Sequence, residues 1–183
     1  MAHRICPWWI GWLLASPIRK LVHDPARILA PWVREGMTVL EPGPGMGFFT
    51  LELARRVGPG GRVVAVDLQP EMLAGLRRRA ERAGLAERVD ARLATATSLG
   101  IDDLAGKVDL VLAFAMVHEL PDAGAFFAEA RRVLAPGGRV LVAEPAGHVD
   151  GSDWDRTLAA AARVGLRVEP GPAIYRSRTA VLA

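Results

Sequence analysis

The sequence predicts a doubly wound α/β domain. Its sheet is mostly parallel and seven-stranded, closes with an antiparallel C-terminal strand pair, and follows an N-terminal helical segment. Three observations predict this. From Met37 onward, short apolar runs alternate with stretches of helical apolar spacing. The central runs, such as Val108–Phe114, are apolar on both faces, as strands buried between two helix layers must be. The last two runs are joined by too few residues for a crossover, so they should pair antiparallel.

Each element has its own signal. In the first 35 residues, Ser16-Pro17 and Asp24-Pro25 each set a capping side chain before a proline at a first helical position, and Gly36 ends the region. Met37–Glu41 reads as a strand, followed by a glycine loop and helical spacing from Gly47 to Val57. Arg62–Asp67 is a valine-rich strand. Pro70–Ala83 is a helix with Arg77, Arg78, Arg79, Glu81 and Arg82 outward, stopped by Gly84. Val89–Leu93 is a third strand, and Ser98 reads as the cap of a short helical turn. After the strand Val108–Phe114, Asp122 caps a helix to about Leu134. Arg139–Glu144 is the next strand, and Ser152 caps a helix to about Val164. Strands at Leu166–Glu169 and about Ile174–Leu182 close the chain. PGGRVVAVD (59–67) and PGGRVLVAE (136–144) look alike, as two copies of one way into a buried strand.

Composition sets the outer limits. Of 183 residues, 51% are hydrophobic and 23% charged, which is the balance of a folded globular chain. One cysteine, Cys6, excludes an internal disulfide framework and any multi-cysteine metal site. The longest apolar stretch, Ile5 to Ala15, is interrupted by Pro7 and Gly11 and falls short of the roughly 18 residues of a spanning helix. It also lacks the cleavage site of a signal peptide, so a cytoplasmic protein is expected.

The net charge of +3 lies entirely in residues 1–35, with Trp8, Trp9, Trp12 and Trp32. The segment is open to four readings: a helical cap on the domain, a lid, a peripheral contact with a membrane surface, or a contact with a nucleic-acid backbone. The domain proper is taken as 36–183.

The densest local signal is VLEPGPGMG, Val39 to Gly47. Gly43, Gly45 and Gly47 let the backbone turn sharply and approach a ligand. A dinucleotide fingerprint needs G-x-G-x-x-G, but the sixth position from Gly43 is Phe48. The G-K-[ST] of a phosphate loop is absent too. Glu41 makes the loop acidic, which suits a ligand with a cationic end. Asp67, at the end of the second strand, is placed to accept both hydroxyls of a ribose. A ribose with a positive charge and no phosphate fits S-adenosylmethionine.

These residues resemble the class I S-adenosylmethionine-dependent methyltransferases, with a Rossmann-like fold, over about 37–145. Glu41, Gly43, Gly45 and Gly47 resemble the family's first motif, and VVAVDLQPEML (63–73) its second. KVDLVLAFAMVHEL (107–120) and RRVLAPGGRVLVAEP (131–145) resemble the fourth strand and the following helix and strand of the small-molecule branch related to quinone methyltransferases. The resemblance implies S-adenosylmethionine as cofactor. It implies a cofactor site of Glu41, Gly43, Pro44, Gly45, Gly47, Asp67, Leu68, Met72, Thr95, Ala96 and Phe114. Many relatives carry an acid after the third strand, facing the adenine amine; here ATATSL (94–99) sets Thr95 there.

Methyl transfer to a good nucleophile needs alignment and a dry site; a weaker one needs a base. His118 and Glu119 follow the fourth strand and His148 follows the fifth, so all three are candidate catalytic residues. The two histidines are open to reading as base and orienter, or as one substrate-lining and one structural residue. Glu144 is an acidic strand end, with a catalytic or a supporting role open. No metal is expected. The chain has no [DN]-P-P-[FY] and no cysteine after the fourth strand, which disfavours the usual amino methylation and cytosine C5 chemistry. The expected acceptor is a small apolar or aromatic molecule, with nucleic acid disfavoured. An RNA or protein methyltransferase, or a cofactor-binding protein without catalysis, are the alternatives.

Overall fold

The computed structural model describes residues 22–95 and 97–183. Trp8, Trp9, Trp12, Cys6, Ser16-Pro17 and Ala96 lie outside the described residues. The chain falls into two units that meet in sequence between Gly100 and Ile101.

The first unit holds α1 (Pro25–Leu29), β1 (Thr38–Pro42), α2 (Thr50–Arg56), β2 (Arg62–Asp67), α3 (Pro70–Arg82) and β3 (Val89–Leu93). Asp24 caps α1 as expected, its Oδ1 accepting from Ala26 N–H at 3.0 Å with Pro25 opening the helix. The Arg56 guanidinium donates to Ala26 O at 2.7 Å and ties the segment to α2. β1 and β2 run parallel with Glu41 opposite Ala65, and β2 and β3 run parallel with Asp67 opposite Leu93. Glu41 and Asp67 therefore stand at the carboxyl ends of adjacent strands.

Three expectations are corrected here. α2 begins at Thr50, not Gly47, because Gly43, Gly45 and Gly47 have φ of 69°, 55° and 85°, outside the right-handed helical region. Arg79 does not face outward with Arg77 and Arg78; it is half-buried, and its guanidinium donates to Met46 O. Ser98 caps no helix either. Its hydroxyl accepts from Gly100 N–H at 3.1 Å, and the 3₁₀ turn comes later, at Asp102–Leu104.

The second unit holds β4 (Val108–Phe114), α4 (Ala123–Val133), β5 (Leu134–Pro145), α5 (Gly151–Arg163), β6 (Val168–Pro170) and β7 (Ser177–Leu182). β4 and β5 are parallel, with Phe114 opposite Ala143. β7 pairs antiparallel with both β5 and β6, Leu182 lying between Val140 and Val168. Asp122 caps α4, accepting from Ala125 N–H at 3.0 Å. α5 is capped by Asp150 rather than Ser152: Asp150 Oδ1 accepts from Asp153 N–H at 2.8 Å and from the Ser152 hydroxyl at 2.9 Å. The seven strands form one sheet in the order β3-β2-β1-β4-β5-β7-β6.

The PGG segments explain how β2 and β5 are entered. A Cβ on Gly61 would lie 2.6 Å from Met37 O, and one on Gly138 would lie 2.6 Å from Val108 O. Each second glycine thus lets the entering chain press against a main-chain carbonyl, where no side chain fits. β5 starts earlier than Arg139 because Leu134 already pairs with Val108, before a register shift at Val108/Leu110.

Candidate functional site

In the first unit a glycine loop follows the end of β1, beside the end of β2. β1 is buried along Val39 to Pro42, so the Glu41 carboxylate is held at 4% exposure by the strand itself. A buried carboxylate costs several kcal/mol unless something compensates its charge. A cationic ligand beside the Glu41 carboxylate would offset part of this cost. The chain then turns through Gly43, whose N–H donates to Val66 O at 2.9 Å and extends the β1–β2 ladder. Gly45 has open space where a Cβ would stand, so it forms the accessible rim of the loop. Gly47 is the opposite case: a Cβ there would lie 2.5 Å from Leu76 Cδ1.

α3 holds this loop from below. A Cβ on Gly75 would lie 2.9 Å from Met46 Cγ, and Arg79 holds the Met46 carbonyl. Burial lowers the Arg79 pKa from its ordinary value, by desolvation alone. Gly75, Leu76 and Arg79 are support residues that the sequence reading missed; a small residue inside a helix next to a glycine loop was the available signal.

Asp67 is half-buried, and its Oδ1 accepts from Gln69 N–H at 2.9 Å, which orients the carboxylate. Leu68 beside it is 38% exposed, and Met72 is buried in α3. Thr95 is exposed and spends its hydroxyl locally, accepting from Ser98 N–H at 3.1 Å while its own N–H donates to Ser98 O at 3.0 Å. Phe114 is half-buried at the end of β4, in the second unit.

The second unit gathers a separate acid–base group after β4. Ala115 takes a left-handed φ of 55°, and its N–H donates to Ala143 O at 2.7 Å. That bend turns the next N–H groups toward Glu144, which is 1% exposed. Glu144 Oε1 accepts from Met116 N–H at 3.1 Å and Val117 N–H at 2.9 Å, and Oε2 accepts from His118 N–H at 3.4 Å. The same Oε2 is bonded to His118 Nδ1. Successive amides converging on one anion form a nest, here filled by the chain's own carboxylate.

The Glu144 hydrogen bond raises the His118 pKa above the ordinary 6.5; partial burial opposes it, and the charges of Glu144 and Glu119 add to the rise. His148 lies close by, with ring centroids 6.0 Å apart and planes tilted by 53°. It is exposed, on the turn after β5, where its N–H donates to Pro145 O at 3.0 Å. The His118 ring is thus bonded to Glu144 and stands beside His148. Glu119 is half-buried at the end of the 3₁₀ turn Val117–Glu119.

With this geometry in place, comparison with known proteins gives the family. A family model described as a methyltransferase domain matches residues 33–164. The chain belongs to that family, the class I S-adenosylmethionine-dependent methyltransferases, whose methyl donor is S-adenosylmethionine. A ubiquinone biosynthesis O-methyltransferase of Azorhizobium caulinodans is 34% identical over 140 residues, covering 76% of this chain and 51% of that protein. An arsenite methyltransferase of Halobacterium salinarum is 37% identical over 109 residues, covering 60% of this chain and 27% of that protein. The chain thus spans about half or less of the length of these curated relatives. Among solved structures, a SAM dependent methyltransferase from Aquifex aeolicus matches at a TM-score of 0.85 and 26% identity, covering 98% of both chains.

Proposed function

We propose that this chain transfers the methyl group of S-adenosylmethionine to a small apolar or aromatic acceptor. The cofactor supplies an activated methyl on a sulfonium. Glu41 faces the positive charge, Gly43, Pro44, Gly45 and Gly47 give the backbone close approach, and Asp67 accepts the ribose hydroxyls. Leu68, Met72 and Phe114 supply apolar surface, with Thr95 and Ala96 beside the adenine.

The observation that carries the catalytic reading is the bond between His118 Nδ1 and buried Glu144. His118 then serves as a base toward the acceptor, with Glu119 and His148 flanking it. Support for a small acceptor comes from the relatives named for ubiquinone biosynthesis and arsenite.

The test is incubation with methyl-labelled S-adenosylmethionine and a panel of phenols, hydroquinones, thiols, amines and bulk RNA. Label in the small-molecule fraction is expected. Label confined to RNA would overturn the reading.

Residues 1–35 are proposed as a lid that keeps water from the transferring methyl. Deleting residues 1–15 should then abolish transfer while cofactor binding survives. Full activity of the truncated protein would refute the lid, and liposome binding lost on the same deletion would replace it with a membrane contact.

A further inference from the structure

We infer that Glu144 is a positioning residue that fixes His118 with its proton on Nδ1 and its lone pair on Nε2, so that the acceptor is a hydroxyl compound giving its O–H proton to Nε2. This rests on the reading of His118 as the base.

The geometry leaves one arrangement of protons. Glu144 Oε2 also accepts from His118 N–H, and Oε1 is taken up by the amides of Met116 and Val117. With three amide N–H groups donating to it, both oxygens of the group serve as acceptors. Nδ1 must therefore carry the hydrogen in the bond to Oε2. In the neutral ring the other nitrogen, Nε2, is then the proton acceptor. His118 keeps 24% of its side chain exposed, while Glu144 is sealed at 1%, so only the histidine is open to a substrate.

The charges around the ring favour the product of proton transfer. Glu144 on β5 and Glu119 on the following 3₁₀ turn are both acidic. His148 faces it from the turn after β5. On β7, Arg178 stands opposite Glu144 in register, but its Nε donates to Val149 O at 3.0 Å. The imidazolium is thus stabilised as it forms.

A base placed in this way matters for an acceptor that must lose a proton. The acceptor oxygen forms its bond to the methyl carbon while the carbon–sulfur bond breaks, leaving its electron pair on sulfur. The hydroxyl proton goes to Nε2. The products are the methyl ether, S-adenosylhomocysteine and imidazolium, which returns its proton to water. Arsenite bears a nucleophilic lone pair and needs no such base. A soft thiol-binding acceptor would call for several thiolates, and this chain has one cysteine.

The tautomer can be read without any acceptor. In ¹⁵N-histidine-labelled protein, long-range ¹H–¹⁵N correlation across a pH titration should show neutral His118 protonated on Nδ1, with a pKa above the ordinary value. His118→Gln assigns the signals. Glu144→Gln keeps an acceptor for the Met116 and Val117 amides but turns a donor toward Nδ1. The proton should then move to Nε2 and the pKa should fall. With hydroquinone and catechol as probes, Glu144→Gln should lower kcat by about 10²- to 10⁴-fold. KM for S-adenosylmethionine should hold and the acid limb of the pH–rate profile should shift down, with partial recovery in Glu144→Asp.

A wild-type His118 protonated on Nε2 overturns the inference even if Glu144→Gln does not fold. If His118→Gln removes the acid limb while Glu144→Gln keeps tautomer, pKa and kcat, the positioning role alone fails. If His118→Gln keeps kcat and the limb, the base reading fails with it. Methylation of thiols or arsenite, with hydroxyl compounds inert, overturns the acceptor class.

Discussion

A Cβ added to Gly47 would sit 2.5 Å from Leu76 Cδ1 of α3, whereas one added to Gly45 would meet nothing within 4 Å. Both residues have positive φ, so alanine at either costs about 1–2 kcal/mol in backbone strain. Gly47→Ala adds an overpacking cost of roughly 1–3 kcal/mol, reduced to the extent that Leu76 yields. Urea unfolding should therefore rank Gly47→Ala clearly below Gly45→Ala. Equal midpoints would mean that α3 does not brace the loop.

Asp67 is placed by β2 and steadied by Gln69 N–H. Removing it as Asp67→Ala should weaken S-adenosylmethionine binding about 10- to 100-fold, the loss of charged hydrogen bonds to two hydroxyls. Asp67→Asn keeps an acceptor for Gln69 and separates the turn from the charge. Isothermal titration showing unchanged affinity in both variants would remove Asp67 from the ribose site.

His118 binds its proton more tightly folded than unfolded. That stabilises the fold fully below the ordinary histidine value of 6.5, and the gain is lost as pH rises through the raised folded value. Thermal midpoints should thus fall more for the wild type than for His118→Gln between about pH 6 and pH 9. Parallel curves would show that the pair adds nothing to the folded state.

Much of the fold was legible and part of the site was not. β2, β3 and β4 fall where the sequence predicts, each opening directly after a glycine or a charged residue, at Gly61, Arg88 and Lys107. The start of α2 was hidden, since apolar spacing carries no information about φ at Gly47. Glu144 was visible as an acidic strand end, but its partner was not. That depends on Phe114 lying opposite Ala143, a register fixed by the shift at Val108/Leu110 rather than by any local motif. Arg79 sits in a run of three arginines, and only the tertiary position of Met46 turns it inward.

The sequence marks Ser152 as the α5 cap, but the bonds from Asp153 N–H and the Ser152 hydroxyl make Asp150 the cap. Those bonds hold its carboxyl below the ordinary range, the Asp153 N–H foremost. Asp150→Ala should lower the thermal midpoint at neutral pH, and Ser152→Ala much less. The difference should shrink as pH falls through the lowered carboxyl value. The reverse order would restore Ser152 as the cap.

The twin PGG entries look interchangeable on paper, yet they offer unequal room for stiffening the chain. Gly60 is exposed, has no positive φ and has open space at its Cβ position, so alanine there removes only disorder from the unfolded chain, a gain of about 0.4–1 kcal/mol. Gly137 has equal room but a φ of 80°, so the same exchange would work against the turn. A thermostabilising library that treated the repeats alike would gain at one and lose at the other.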